Sequence, residues 1–256
     1  MIQLRRPEGR FGRVGHRGAS ALAPENTLQA LELAVELGCD MLEFDVLDLA
    51  DGTLVLAHSN DLLEVSHGAV PGHVRPMRLE ELREVAPELP TLDEALGFFA
   101  SVTVGLHLDV KCDRYGREVA RAIGRYGLVE RAVASSFSSR VLRDLRATEP
   151  ALALGITYPE DRKGLARRRL LAPLVPSVVH LHGRAVPRRL PRWLESTGAA
   201  VAMLHHGVLS QGAVDRCHAA GAAIWVWTVN EPELLRQVVA LGVDGIISDD
   251  PRLFLQ

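Results

Sequence analysis

In this 256-residue chain the residues whose types could carry chemistry are His16 with Arg17, Glu43 with Asp45, His58, and Asp109 with Lys111. Glu43 and Asp45 are two residues apart, as are Asp109 and Lys111, and on a strand that spacing puts both side chains on one face. Each group stands in or at the end of a short apolar run. Two later runs also end in polar residues, Trp227-Thr228-Val229-Asn230 and Ser248-Asp249-Asp250-Pro251. If those ends converge, two histidines, three carboxylates, an arginine and a lysine meet in one place. Such a cluster is costly to desolvate unless something binds between the charges. A hard divalent cation suits the oxygens, and an anionic substrate suits Arg17 and Lys111. Hydrolysis of a phosphate ester satisfies both.

The elements that must position these residues alternate. Strands are predicted at Val14–Arg17, Met41–Val46, Val102–Val110, Ala132–Phe137, Leu152–Thr157, Val178–Leu181, Ala199–Leu204, Ala223–Val229 and Asp244–Ser248. Between them run helical periodicities at Leu28–Leu37, 79–86, 92–100, Arg117–Tyr126, Ser139–Ala147, 160–171, 210–220 and 231–241. Asp51-Gly52 is a turn dipeptide, so Leu54–His58 reads as a hairpin return from the second strand. The glycines and prolines of 59–76 read as a loop.

Strand–helix alternation at this pace implies a parallel sheet, and about 250 residues with eight or so units favour a (β/α)8 TIM barrel over an open sheet. The hairpin excursion after the second strand sits outside it. One of the nine strand candidates is surplus, and 199–204 is the one set aside. No composition shift divides the chain, so residues 1–256 are expected to form one domain. In such barrels the reactive groups gather at the carboxyl ends of the strands, where these polar residues lie.

With 47% apolar and 24% charged residues the chain is an ordinary globular protein. A formal charge of −3 lacks the basic footprint of a nucleic-acid binder. No apolar run reaches the ~20 residues of a membrane span, so no stable membrane insertion is expected. The first residues lack a leader's apolar stretch, and Cys39, Cys112 and Cys217 form neither metal spacing nor a disulfide framework. A cytoplasmic location follows as the expectation. Lysine occurs only at Lys111 and Lys163, the other basic residues being arginine.

Taken in order, His16-Arg17-Gly18, Pro24-Glu25-Asn26-Thr27, Glu43-Phe44-Asp45, Asp51-Gly52 with His58, Asp109-Val110-Lys111, Ser136-Phe137-Ser138, Trp227-Thr228-Val229-Asn230 and Ser248-Asp249-Asp250-Pro251 closely resemble the glycerophosphodiester phosphodiesterase family. The resemblance runs from residue 16 to 251. It implies a metal-dependent barrel hydrolase that cuts glycerophosphodiesters, its small-molecule substrates, into sn-glycerol 3-phosphate and an alcohol. It further implies Glu43, Asp45 and Asp109 as ligands of a divalent cation, Mg2+ or Ca2+. His16 and His58 become the acid–base pair, Arg17 and Lys111 the phosphate contacts, and Trp227 a wall against the substrate.

The chain also departs from the family's pattern. Asp109 stands where the family commonly has Glu, which draws the carboxylate back by about one bond. Ser59 replaces the usual Asp after His58, and Glu64-Val65-Ser66 stands where an arginine-threonine-threonine stretch often follows. Two rival readings are a phospholipase D-like or lysophospholipid-cleaving enzyme on the same barrel, and a barrel that only binds glycerophosphodiesters. Intact His16 and His58 argue against the second. His180, His182, His205 and His206 lie outside the matched motifs and read as structural histidines.

Overall fold

The computed structural model describes residues 2–7, 9–159 and 175–255, with side chains from 183 onward in the last stretch. Its strands are β1 (Gly12–Gly15), β2 (Met41–Asp48), β3 (Leu54–Leu56), β4 (Gly105–Val110), β5 (Ala132–Ser136), β6 (Ala153–Tyr158), β7 (Val201–His205), β8 (Ala223–Trp227) and β9 (Gly245–Ser248). Their order is β1-β9-β8-β7-β6-β5-β4-β2-β3, and a further β1–β2 pairing closes the ring. Among the described strands only β3 pairs antiparallel, to β2, so the barrel proper is the other eight strands, all parallel. The helices are α1 (Leu28–Glu36), α2 (Leu62–Val65), α3 (Leu79–Val85), α4 (Leu92–Ser101), α5 (Gly116–Arg125), α6 (Ser139–Thr148), α7 (Val175–Thr197), α8 (Gln211–Ala219) and α9 (Pro232–Ala240). The chain is therefore a TIM barrel with the expected hairpin after its second strand.

Two sequence expectations need correction. The candidate set aside at 199–204 falls on a barrel strand, β7 (Val201–His205), hydrogen-bonded to both β6 and β8. The surplus candidate is Val178–Leu181, which lies inside the 23-residue helix α7. A short β-branched run cannot by itself be told from a helix segment, and here the crossover between β6 and β7 needs the helix. In the loop 59–76 the chain also forms the short helix α2. The helix expected over 160–171, with Lys163 in it, lies outside the described residues.

Period-2 alternation sorts the strand residues into two layers. On β2 and β4 the even residues Leu42, Phe44, Val46, Leu106, Leu108 and Val110 face outward into the core shared with α1, α4, α5 and α6. The odd residues face the barrel axis, where Val14, Met41, Val133, Val201, Met203, Ala223, Trp225 and Ile247 form the interior layer. Large interior side chains sit opposite glycines in register. Trp225 pairs with Gly245 and Met41 with Gly105, and a Cβ on either glycine would lie 2.6 or 2.7 Å from its partner's Cγ. Above this floor the inward positions turn polar. Among the described residues no helix is long and apolar enough to cross a membrane.

Candidate active site

Register brings the acidic residues together. Asp45 of β2 pairs with Asp109 of β4, which pairs with Ser135 of β5, and Glu43 lies one inward step below Asp45 beside His107. Donor atoms of Glu43, Asp45 and Asp109 all lie within 4.8 Å of one another. They line a cavity of about 430 Å³ together with His16, Arg17, His58, Lys111, Phe137 and Trp227. Every site residue expected from the sequence is thus in one pocket at the barrel mouth.

The loop after β1 delivers His16 and Arg17. Gly18 has φ +83°, and a Cβ there would stand 2.4 Å from the Ala30 carbonyl carbon, so only glycine lets this loop lie on α1. Arg17 also adopts a left-handed φ of +51°, and its N–H donates to Glu43 Oε2 at 2.9 Å. A non-glycine residue held in that region is a strain that surrounding contacts must sustain. Those contacts include Nη1 to Glu25 Oε2 at 2.6 Å and Nε to Asp45 Oδ2 at 3.2 Å. Asn26 clamps Asp45 from both sides, donating from Nδ2 at 3.1 Å and accepting the Asp45 N–H at 3.0 Å. Lys111 Nζ bridges Asp45 Oδ1, at 3.1 Å, and Asp109, and stands 5.1 Å over the Phe137 ring.

Burial and charge shift these groups in definite directions. Burial raises Glu43 well above the ordinary carboxyl range, reinforced by the Asp45 and Asp109 charges. Burial would also raise Asp45, but Lys111 and Arg17 outweigh it and hold Asp45 far below that range. Lys111 is kept protonated against burial by Asp109 and Asp45. Three buried carboxyl groups thus face two fixed cations, Arg17 and Lys111. An oxygen-only set of three carboxylates is the donor chemistry of a hard divalent cation, so the residues fit one. Asp109 is set further by hydroxyls, Ser135 Oγ at 2.8 Å and Thr157 Oγ1 at 3.3 Å from its Oδ1. Despite the shorter side chain it remains within the cluster.

Each histidine carries a carboxylate on Nδ1. His16 Nδ1 lies 2.5 Å from Asp249 Oδ1, and His58 Nδ1 lies 2.7 Å from Glu64 Oε1. His16 Nε2 is 3.9 Å from Glu43 Oε2. Burial, with Arg17 adding to it, lowers His16, so the ring is neutral near neutral pH. Trp227 lines the wall, its Nε1 donating to the Met203 carbonyl at 3.3 Å and its ring packed on His205. His205 accepts the Gly207 N–H, His206 Nδ1 is 3.0 Å from the Thr228 carbonyl oxygen, and neither lines the pocket. Burial pushes His205 down to about 4. Both are engaged by backbone groups outside the pocket lining.

Sequence reasoning gave no role to Asp249, Glu64, Ser135, Thr157 or His107. His107 was within reach, because it stands two residues before Asp109 on the inward face of β4. Its Nε2 lies 2.9 Å from Ser135 Oγ. Asp249 carried a weaker signal, a polar residue just past a barrel strand. Glu64, in a loop reading, carried none.

The model of the glycerophosphoryl diester phosphodiesterase family matches residues 16–253. The glycerophosphodiester phosphodiesterase of Caldanaerobacter subterraneus subsp. tengcongensis is 26% identical over 258 residues, 94% of this chain and 95% of that protein. An Oleispira antarctica phosphodiesterase, solved in complex with the product sn-glycerol-3-phosphate, superposes with TM-score 0.71 at 26% identity, covering 93% of each chain. The Thermotoga maritima glycerophosphodiester phosphodiesterase matches with TM-score 0.71 at 25% identity, covering 96% of this chain and 98% of that one. With the barrel, the acidic triad and the two histidines in one pocket, the chain belongs to the glycerophosphoryl diester phosphodiesterase family.

Proposed function

We propose that this protein hydrolyses glycerophosphodiesters to sn-glycerol 3-phosphate and an alcohol, with a divalent cation, Mg2+ or Ca2+, held by Glu43, Asp45 and Asp109, and that residues 1–256 act as one catalytic domain. The observation that carries the reading is the convergence of two histidines, three carboxylates, Arg17 and Lys111 on one cavity in a chain of this family. The product bound in the Oleispira antarctica relative supports the same substrate class.

When bound, the cation supplies Lewis-acid stabilisation of the phosphorus-bound oxygens. The chain's own residues do the rest. Arg17 and Lys111 place fixed positive charge where negative charge builds in the transition state. One histidine takes the proton of the attacking oxygen and the other returns a proton to the departing alkoxide, so the P–O bond to the alcohol breaks without a free alkoxide. Neutral His16, its Nδ1 committed to Asp249, has Nε2 left to accept a proton. His58, half-buried and lining the same cavity, completes the pair. Phe137, Pro159 and Trp227 form the apolar side of the cavity against the organic portion of the substrate.

The test is a panel of glycerophosphodiesters with different alcohols, scored by released glycerol 3-phosphate with and without chelator. Turnover abolished by EDTA and restored by Mg2+ or Ca2+ is expected; full activity after exhaustive chelation would remove the metal from the mechanism. His16→Ala and His58→Ala should each lower kcat by about 10²–10⁴, the usual worth of general acid–base catalysis.

A further inference from the structure

The excursion between β3 and α3 does more than close a loop. Helix α2 is only 4 residues long, yet it is firmly placed. Leu62 and Val65 are buried in the satellite core that the excursion forms with Leu47, Val55, Leu82 and Leu89. Its start is tied across the loop by Leu62 N–H to the Gly72 carbonyl at 3.0 Å and Val74 N–H to the Asn60 carbonyl at 3.1 Å. With Leu62 and Val65 buried in that core, the neighbouring Glu64 reaches His58.

The Glu64 carboxylate is used at both oxygens. Oε1 lies 2.7 Å from His58 Nδ1, and Oε2 accepts from Ser59 Oγ at 2.9 Å. An ionised carboxylate can only accept, so Nδ1 must carry the proton of the neutral ring, and Nε2 is the nitrogen left for the cavity that His58 lines. Glu25 is the other carboxylate in reach, its oxygen within 4.8 Å of the His58 and Glu64 atoms, but Arg17 holds it at 2.6 Å.

We propose that Glu64 is the positioning residue of His58: it fixes the ring as the Nδ1–H tautomer, aims Nε2 at the substrate and stabilises the imidazolium while His58 holds a proton. Ser59 is its brace. The inference rests on the reading of His58 as a proton carrier. It gives the segment that departs most from the family's residues a part in the reaction. The physics is that of any catalytic imidazole oriented by a carboxylate, where loss of the orienting group costs rate through the wrong tautomer more than it costs binding.

Glu64→Ala, Glu64→Gln and Ser59→Ala, assayed on glycerophosphocholine and followed by nitrogen-15 NMR of the histidine rings, test it. Glu64→Ala should lower kcat at least about tenfold with KM changed less than about threefold, and should shift His58 from the Nδ1–H form to a mixture of tautomers. Glu64→Gln, whose amide oxygen can accept the same hydrogen bond, should restore the Nδ1–H form and part of kcat. Ser59→Ala should act in the same direction as Glu64→Ala but more weakly. A Glu64→Ala enzyme with wild-type kcat, or one with reduced kcat and an unmoved His58 tautomer, overturns the proposal. His58→Ala separates the two levels of the argument. If it is inactive while Glu64→Ala is normal, only the role of Glu64 falls; if it turns over like wild type, the proton-carrier reading falls and takes the proposal with it.

Discussion

His16 Nδ1 and Asp249 Oδ1 are 2.5 Å apart, and Asp249 is held in turn by Asn230 Nδ2 at 2.5 Å and Ser20 Oγ at 3.1 Å. The pair joins the loop after the first barrel strand to the loop after the last, across the β1–β9 pairing. Because the carboxylate accepts, His16 Nδ1 donates, and the ring presents Nε2 toward Glu43. Asp249→Ala should therefore cost turnover without unseating the substrate. We expect kcat to fall by about 10²–10⁴ and KM to stay within a few-fold, measured by steady-state kinetics with metal saturating.

The same contact predicts a pH dependence of stability. Burial alone would raise Asp249, but hydrogen bonds from His16, Asn230 and Ser20 outweigh it and bring the carboxyl down to about 2. A carboxyl depressed in the folded state stabilises it above the unfolded value of ~3.9, and that contribution is lost as pH falls toward 2. Denaturant unfolding of wild type and Asp249→Asn should differ at pH 6 and converge between about pH 4 and pH 2. A gap that stays constant down to pH 2 would show that the native carboxyl is not depressed.

Most of the site was legible because its signal is local. Glu43 with Asp45, and Asp109 with Lys111, announce themselves by i, i+2 spacing on apolar strands, and parallel register converts those pairs into neighbours. The partners that hold them were not legible. Asp249 reaches His16 across 233 residues of sequence, and Glu64 reaches His58 only because the excursion folds α2 back over the hairpin. The strand error has the same origin. Val178-Val179-His180-Leu181 has β-branched composition, but connectivity decides there, since β6 and β7 are parallel neighbours and require a crossover. Ala199-Ala200, of weak strand character, simply leads into β7.

Lys111 offers a test against its arginine-rich background. Its ammonium sits between Asp45 and Asp109 with Phe137 beneath it, a space for a compact point charge. The planar, broader guanidinium should not reproduce that geometry. Lys111→Arg is expected to lower kcat/KM at least tenfold, about 1.4 kcal/mol of transition-state stabilisation. The same exchange at Lys163, outside every motif of the site, should leave kinetics unchanged. Equal kinetics for the two variants would leave phosphate recognition to Arg17.

The three cysteines should be chemically silent in the native protein. Cys39, Cys112 and Cys217 are free and buried, and burial pushes each thiol up to about 12. Since the thiolate is the reactive form, a disulfide reagent at pH 8 should titrate none of them within minutes, and all of them after unfolding. Rapid native labelling at any one would show that its element opens locally.

Ser135 links the floor of the barrel to the acidic cluster. Its hydroxyl donates to Asp109 Oδ1 at 2.8 Å and stands 2.9 Å from His107 Nε2, all three residues being buried. The hydroxyl has one proton, given to Asp109, so the buried His107 must supply the proton of its own contact from Nε2. Burial pushes His107 down to about 4, consistent with a neutral ring. Ser135→Ala strands a buried ring N–H and loosens a carboxylate of the proposed cation site at once. Leaving such a group unpaired costs about 1–3 kcal/mol, and loss of a hydrogen bond behind a metal ligand typically weakens binding about 10–100-fold. Thr157→Val removes only the longer 3.3 Å contact and should do less on both counts. Calorimetric titration with Mg2+ or Ca2+, alongside denaturant unfolding, separates the effects. If Ser135→Ala binds the cation as wild type does while losing stability, Ser135 supports the fold and Asp109 is positioned by Lys111 and Thr157 alone.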